Sequence, residues 1–282
     1  MKKILVPCDF SDTARQAYKF ALDIASANAG EVIVLKIIDL TPIYIESLDS
    51  NPYYVNTMSI LAELEQEAKM DFENLKKHNG TANVPVTFVV EKGIVSQAIL
   101  KHIHEQNADL VVMGTHGASG LKEFLIGSNT EKIVRTAPVP VFAVHRATPV
   151  SGIKNIVFPT TLDLTQNMLA NKVKDLQVLF NAKLHILYVK TPTDPTSEKE
   201  LKISLDNFAG FYGFENFTTH ITHEYNEQDG ILKFASRTPH SIVAMATHGH
   251  TGLNHFVMGS IAEDIVNHAH ETIWTYSFRE DQ

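Results

Sequence analysis

The sequence predicts an α/β protein made of two repeated, Rossmann-like doubly wound domains, each a five-stranded parallel sheet with helices on both faces. Three observations carry that expectation. Short runs of Val, Ile and Leu alternate with stretches of helical period, the pattern of strands buried on both sides by crossover helices. The chain also repeats itself, since "GTHGASGLKEFLIGSNTE" (residues 114–131) returns as "ATHGHTGLNHFVMGSIAE" (246–263). In each copy this glycine segment follows an apolar run and leads into a helix-start signal.

The elements follow in order. Lys3 to Pro7 is a short strand, and Ser11-Asp12-Thr13 offers caps before Ala14, Ala17, Tyr18, Ala21, Leu22 and Ala25 at helical spacing. Glu31 to Ile38 is a second strand, Met58 to Lys77 an amphipathic helix, and Val84 to Val90 a third strand. Val95 to Gln106 reads as helix, Asp109 to Met113 as strand, Ser128 to Thr136 as helix and Pro140 to Val144 as the fifth strand. The second copy repeats the strands at Asn155 to Phe158, Leu184 to Val189, Thr218 to His223, Ser241 to Met245 and Glu271 to Tyr276.

The copies align at an offset of 132 around the glycines (Met113 on Met245, Gly127 on Gly259) and of 152 at their starts (Ile4 on Ile156, Pro7 on Pro159). The first copy therefore carries about 20 extra residues, placed at Thr41 to Ile60 as a loop or lid. The linker-like Ala147 to Gly152 sets domains of 1–146 and 152–282.

Composition narrows the function. Of 282 residues, 44% are hydrophobic and 20% charged, as in ordinary globular proteins, and the formal charge of -8 argues against a nucleic-acid binder. The apolar runs are strand-sized, well short of the roughly 20 residues of a membrane helix, and no membrane partner is expected. One cysteine and no recognisable signal peptide lead us to expect a cytoplasmic protein.

In open α/β sheets, ligands bind at the carboxyl ends of strands where the strand order reverses. Glycines there let backbone amides approach a ligand closely. Ser128-Asn129-Thr130-Glu131 has capping-box spacing, so it predicts a helix whose amino end attracts anions. The spacing Gly114-x2-Gly117-x9-Gly127-Ser128 between strand and helix makes a phosphate cradle.

At this point the chain resembles a tandem member of the universal stress protein family, through the glycine motif and the opening "KKILVPCDFSDTARQAYKFALDIA". The resemblance implies an adenine-nucleotide site (ATP or AMP, with magnesium as an accompanying ion), a strand order 3-2-1-4-5, and pairing through fifth strands. It implies that Asp9 accepts hydrogen bonds from the adenosine portion, with Pro7 and Cys8 shaping its backbone, and that Ile37 contacts the adenine. Met113, Gly114 and Gly117 line the ribose and phosphates, while Gly127, Ser128, Asn129 and Thr130 offer amides and hydroxyls to the phosphates. His116 and Lys122 are read as solvated surface groups.

The second copy matches Gly114 with Ala246 and Asp9 with Thr161. A left-handed Gly114 replaced by alanine costs about 1 to 2 kcal/mol, and loss of the carboxylate about as much again. One competent site in the first domain is therefore expected, with the second domain as its built-in dimerisation partner. Further homodimerisation and a regulatory protein partner stay open.

Metal and catalytic readings are set aside. His248, His250, His255, His268 and His270 lack helical pairing with a further ligand, and His220 and His223 would point to opposite strand faces. No Walker-type lysine or magnesium-holding aspartate is evident, so a sensor or regulator is favoured over a slow ATPase or a nucleotide-independent scaffold.

Overall fold

β1 (Lys3–Pro7) leads into α1 (Asp12–Asn28), then β2 (Glu31–Ile38), α2 (Thr57–Asn79), β3 (Val86–Lys92), α3 (Val95–Glu105), β4 (Leu110–Gly114), α4 (Ser128–Thr136) and β5 (Val141–Val144). A 3-10 turn at Val150–Gly152 opens the second series. That series is β6 (Asn155–Pro159), α5 (Asn167–Phe180), β7 (Lys183–Lys190), α6 (Glu198–Tyr212), β8 (Phe217–His223), α7 (Glu227–Arg237), β9 (Ser241–Ala246), α8 (Phe256–His268) and β10 (Thr272–Tyr276). The computed structural model describes residues 1–40, 57–79, 83–115, 127–247 and 256–277.

The strand order is β3-β2-β1-β4-β5-β10-β9-β6-β7-β8, so each copy has the expected 3-2-1-4-5 arrangement. Instead of two separate sheets there is one of ten strands, joined where β5 and β10 pair antiparallel with Phe142 opposite Trp274. Every other pairing is parallel.

Helices on both faces give two apolar layers. On one face α1 buries Ala14, Ala17, Tyr18, Ala21 and Ala25, the periodic residues of its sequence. This layer runs through the junction: Phe20 of α1 meets Phe142 edge-on at 5.1 Å, and Phe142 meets Phe180 of α5 at 6.2 Å. The opposite face packs α3, α4, α7 and α8 on Leu5, Leu35, Val111, Val157 and Leu187.

The expected linker is strapped down. Ala147 N donates to Gln16 Oε1 at 3.2 Å, and Val150 N donates to Asp23 Oδ2, both acceptors lying on α1. The expected loop at 41–60 needs a correction at its end, because helix α2 already begins at Thr57. The rest of that segment lies outside the described residues. Strand β3 ends two residues later than the periodicity suggests, at Lys92, and is followed by Gly93, whose φ of 143° suits glycine and whose amide reaches Ile38 O at 3.1 Å. Among the described residues no helix is long and apolar enough to cross a membrane.

Candidate functional site

β1 lies between β2 and β4, so the chain leaves the sheet in opposite directions at the carboxyl ends of β1 and β4. That switch point is the crevice where such sheets take ligands. β1 passes into α1 through Cys8-Asp9-Phe10, and the turn is held by Cys8 N bonding to Leu35 O at 2.9 Å. Phe10 is left-handed, with φ 64°, an unusual conformation for a bulky side chain. Its counterpart Leu162 repeats it with φ 65°, so this bend belongs to the repeat.

The bend leaves Asp9 exposed at the crevice rim, where Oδ1 accepts the Ser11 amide at 3.0 Å. Ser11 in turn caps α1 by accepting the Ala14 amide at 3.3 Å. Cys8 turns the other way, buried under α1, and burial pushes its thiol up to about 12. A buried thiol held protonated in this way is a poor nucleophile.

Strand alternation sorts the remaining expected residues. Met113 sits in the apolar layer beneath α4, Ile37 packs against the same layer, and Pro7 follows Leu5 onto that face. Gly114 points to the opposite face, against the start of α1. A Cβ built there would stand 2.7 Å from the carbonyl carbon of Thr13 and 2.9 Å from Ala14 N. The expected left-handed conformation is thus corrected: Gly114 is glycine because the helix start lies directly on it, not because of its φ.

The second copy solves the same contact differently. Its helix α5 starts at Asn167, eight residues after Pro159, whereas α1 starts at Asp12, five after Pro7. The later start leaves room for the Cβ of Ala246, which is fully buried in β9. Thr161, in the place of Asp9, is exposed. The bend there is tied by Thr160 Oγ1, which accepts Leu162 N at 2.9 Å.

Across the crevice, α4 begins without a side-chain cap. The cap residue is Gly127, not Ser128, so the predicted capping box does not form. Two bonds fix that start: Gly127 N donates to Thr115 O at 2.8 Å, and Thr130 Oγ1 donates to Gly114 O at 2.8 Å. They tie the helix to the end of β4 and set its first turn one residue early. Thr130 is buried, its hydroxyl serving this tie, while Ser128 and Asn129 are exposed.

The first amides of a helix have no intrahelical acceptor and carry the positive end of its dipole. Here that first turn, with Ser128 and Asn129 exposed and no side-chain cap, stands at the strand ends, a placement suited to an anion. Gly117, with His116 and Lys122, lies outside the described residues. Sequence reasoning missed Phe10, Thr13 and Thr115, which shape the crevice through backbone. Only the apolar residue at the same place in both copies, Phe10 and Leu162, left a trace of them in the sequence.

Comparison with known proteins agrees with this geometry. The family model described as "Universal stress protein family" matches residues 1–145 and again 152–276. Universal stress protein MJ0577 of Methanocaldococcus jannaschii is 34% identical over 154 residues, covering 51% of this chain and 95% of the relative. Universal stress protein YxiE of Bacillus subtilis is 28% identical over 145 residues, covering 51% and 98%. The crystal structure of a universal stress protein from Archaeoglobus fulgidus shares the fold over 99% of this chain and 97% of that one, with a TM-score of 0.73 and 20% identity. Two matched repeats in one joined sheet place this chain in the universal stress protein family as a tandem member.

Proposed function

We propose that the chain is an adenine-nucleotide-binding stress-response protein, a sensor or regulator whose contacts with a protein partner change with ATP or AMP occupancy. The observation that carries the reading is the uncapped amino end of α4, held against the end of β4 and facing the crevice that Asp9 borders. Residues 1–146 form the competent domain. Asp9 accepts from the adenosine portion, Ile37 and Met113 offer apolar contact, and the amides of Ser128 and Asn129 meet the phosphates. An accompanying magnesium ion would be held by the phosphates. Residues 152–282 serve as the intramolecular partner, with Thr161 and Ala246 in place of Asp9 and Gly114.

Calorimetric titration of ATP into the whole chain tests this. Wild type is expected to bind, and Asp9→Ala to weaken binding about tenfold to a hundredfold by loss of a charge-assisted acceptor. Asp9→Asn keeps an acceptor for the Ser11 amide and isolates the charge. Unchanged affinity in both variants would reject the assignment.

A further inference from the structure

A polar row crosses three strands of the second copy on the face that α7 covers. Asn155 on β6, His185 on β7, and Thr218 and His220 on β8 share that face by register, His185 standing opposite Thr218 and diagonal to His220. The first copy builds the equivalent β2–β3 patch with Ile33 opposite Thr87 and Val89 two residues on. The fold therefore has no need of two half-buried imidazoles under Phe234.

The row is oriented. Asn155 Nδ2 donates to Pro239 O at 2.7 Å, which leaves Oδ1 to accept His185 Nε2–H at 2.9 Å. His185 Nδ1 then carries a lone pair, aimed at His220 Nε2, 3.1 Å away. Thr218 Oγ1 lies 3.3 Å from His185 Nδ1 and 3.0 Å from His220 Nε2, closing a nearly equilateral triangle. Metal–nitrogen bonds of about 2.0–2.1 Å at tetrahedral angles separate ligand atoms by about 3.3 Å, and a metal-binding histidine ordinarily donates its other N–H to an oxygen acceptor.

We propose that His185 Nδ1 and His220 Nε2, with the Thr218 hydroxyl beside them, bind a divalent transition-metal ion of the zinc and copper class. Water completes the coordination, and the ion clamps the edge strand β8 to β7. Burial holds both imidazoles below the usual histidine range, helped for His185 by His220 and for both by Lys183. Lys183 is the cation acting on the pair. Imidazole ligation favours zinc or copper over magnesium or calcium. His220 and His223 fall on opposite faces of β8, and the imidazole beside His220 is His185, from the adjacent strand.

The test is calorimetric titration of zinc chloride into the whole chain and three variants. His220→Gln is expected to weaken one site at least tenfold, and Asn155→Ala, which keeps both imidazoles but frees their orientation, about tenfold. His223→Gln, on an exposed histidine bonded to Glu198, leaves binding unchanged. Binding at other histidines would survive His220→Gln and Asn155→Ala, and that result overturns the proposal. Should those variants fail to fold, pulsed electron paramagnetic resonance of wild type with one equivalent of copper(II) decides. Two coupled imidazoles support the site, and one or none overturns it.

Discussion

Gly114 is where a single missing side chain does most to set the site's geometry. With Thr13 and Ala14 backbone atoms inside 3 Å of where a Cβ would be, alanine must push α1 away from β4. Gly114→Ala is expected to destabilise the chain by about 1–3 kcal/mol through overpacking. Urea unfolding measures this, and an unchanged midpoint would contradict the close approach. That a glycine belonged here was legible in the sequence. Its reason was not, because close approach depends on where α1 starts, and the same left-handed bend at Phe10 and Leu162 precedes helices that start at different distances from their strands. A phenylalanine gives no local signal for that conformation. Asp9, by contrast, is an exposed carboxylate two residues after the buried strand β1.

The helix α4 carries the next level of the argument. Its limits, Ser128–Thr136, follow from the sequence, yet its cap does not. Ser-x-x-Glu matches the capping-box pattern, but the ties from Gly127 to Thr115 and from Thr130 to Gly114 are tertiary, and they outweigh a local preference. The result is an amino end left for another acceptor. Asn129→Asp tests this with two readouts of opposite sign. A carboxylate in the first turn complements the dipole and stabilises the helix by about 0.3–1 kcal/mol. The same charge repels phosphate, so ATP affinity should fall while thermal stability holds or rises. Affinity unchanged or improved would place the phosphates elsewhere. The α1 start shows the local rule succeeding, since Ser11 caps it as its sequence predicts.

For the molecule as a whole, the decisive feature is the β5–β10 junction. Antiparallel pairing covers two edges that would otherwise invite association, and it places fully buried Phe142 against Trp274. Phe142 also touches Phe20 of the first copy and Phe180 of the second, so the apolar layer has no seam between repeats. Phe142→Ala is expected to lose about 3–5 kcal/mol. Both repeats should weaken together in a calorimetric scan, whereas a loss confined to one half would mean that the repeats fold independently. The strands and the two-copy plan were legible because buried strands have continuous apolar runs and the duplication is plain, whereas the strand order came from the resemblance. The fusion into one sheet was suggested only by resemblance, since nothing in "VPVFAV" or "TIWTYS" names its partner.

The central claim is that a phosphate-bearing ligand is gripped by main-chain amides at the start of α4 and not by their counterparts in the second repeat. Amide-resolved NMR of the whole chain during ATP addition tests it most directly. The amide signals of Gly114, Ser128, Asn129 and Thr130 should shift together and saturate, with those of Ala246 and Ser260 unmoved. Shifts centred on residues 246–262, or none at either repeat, would contradict the account.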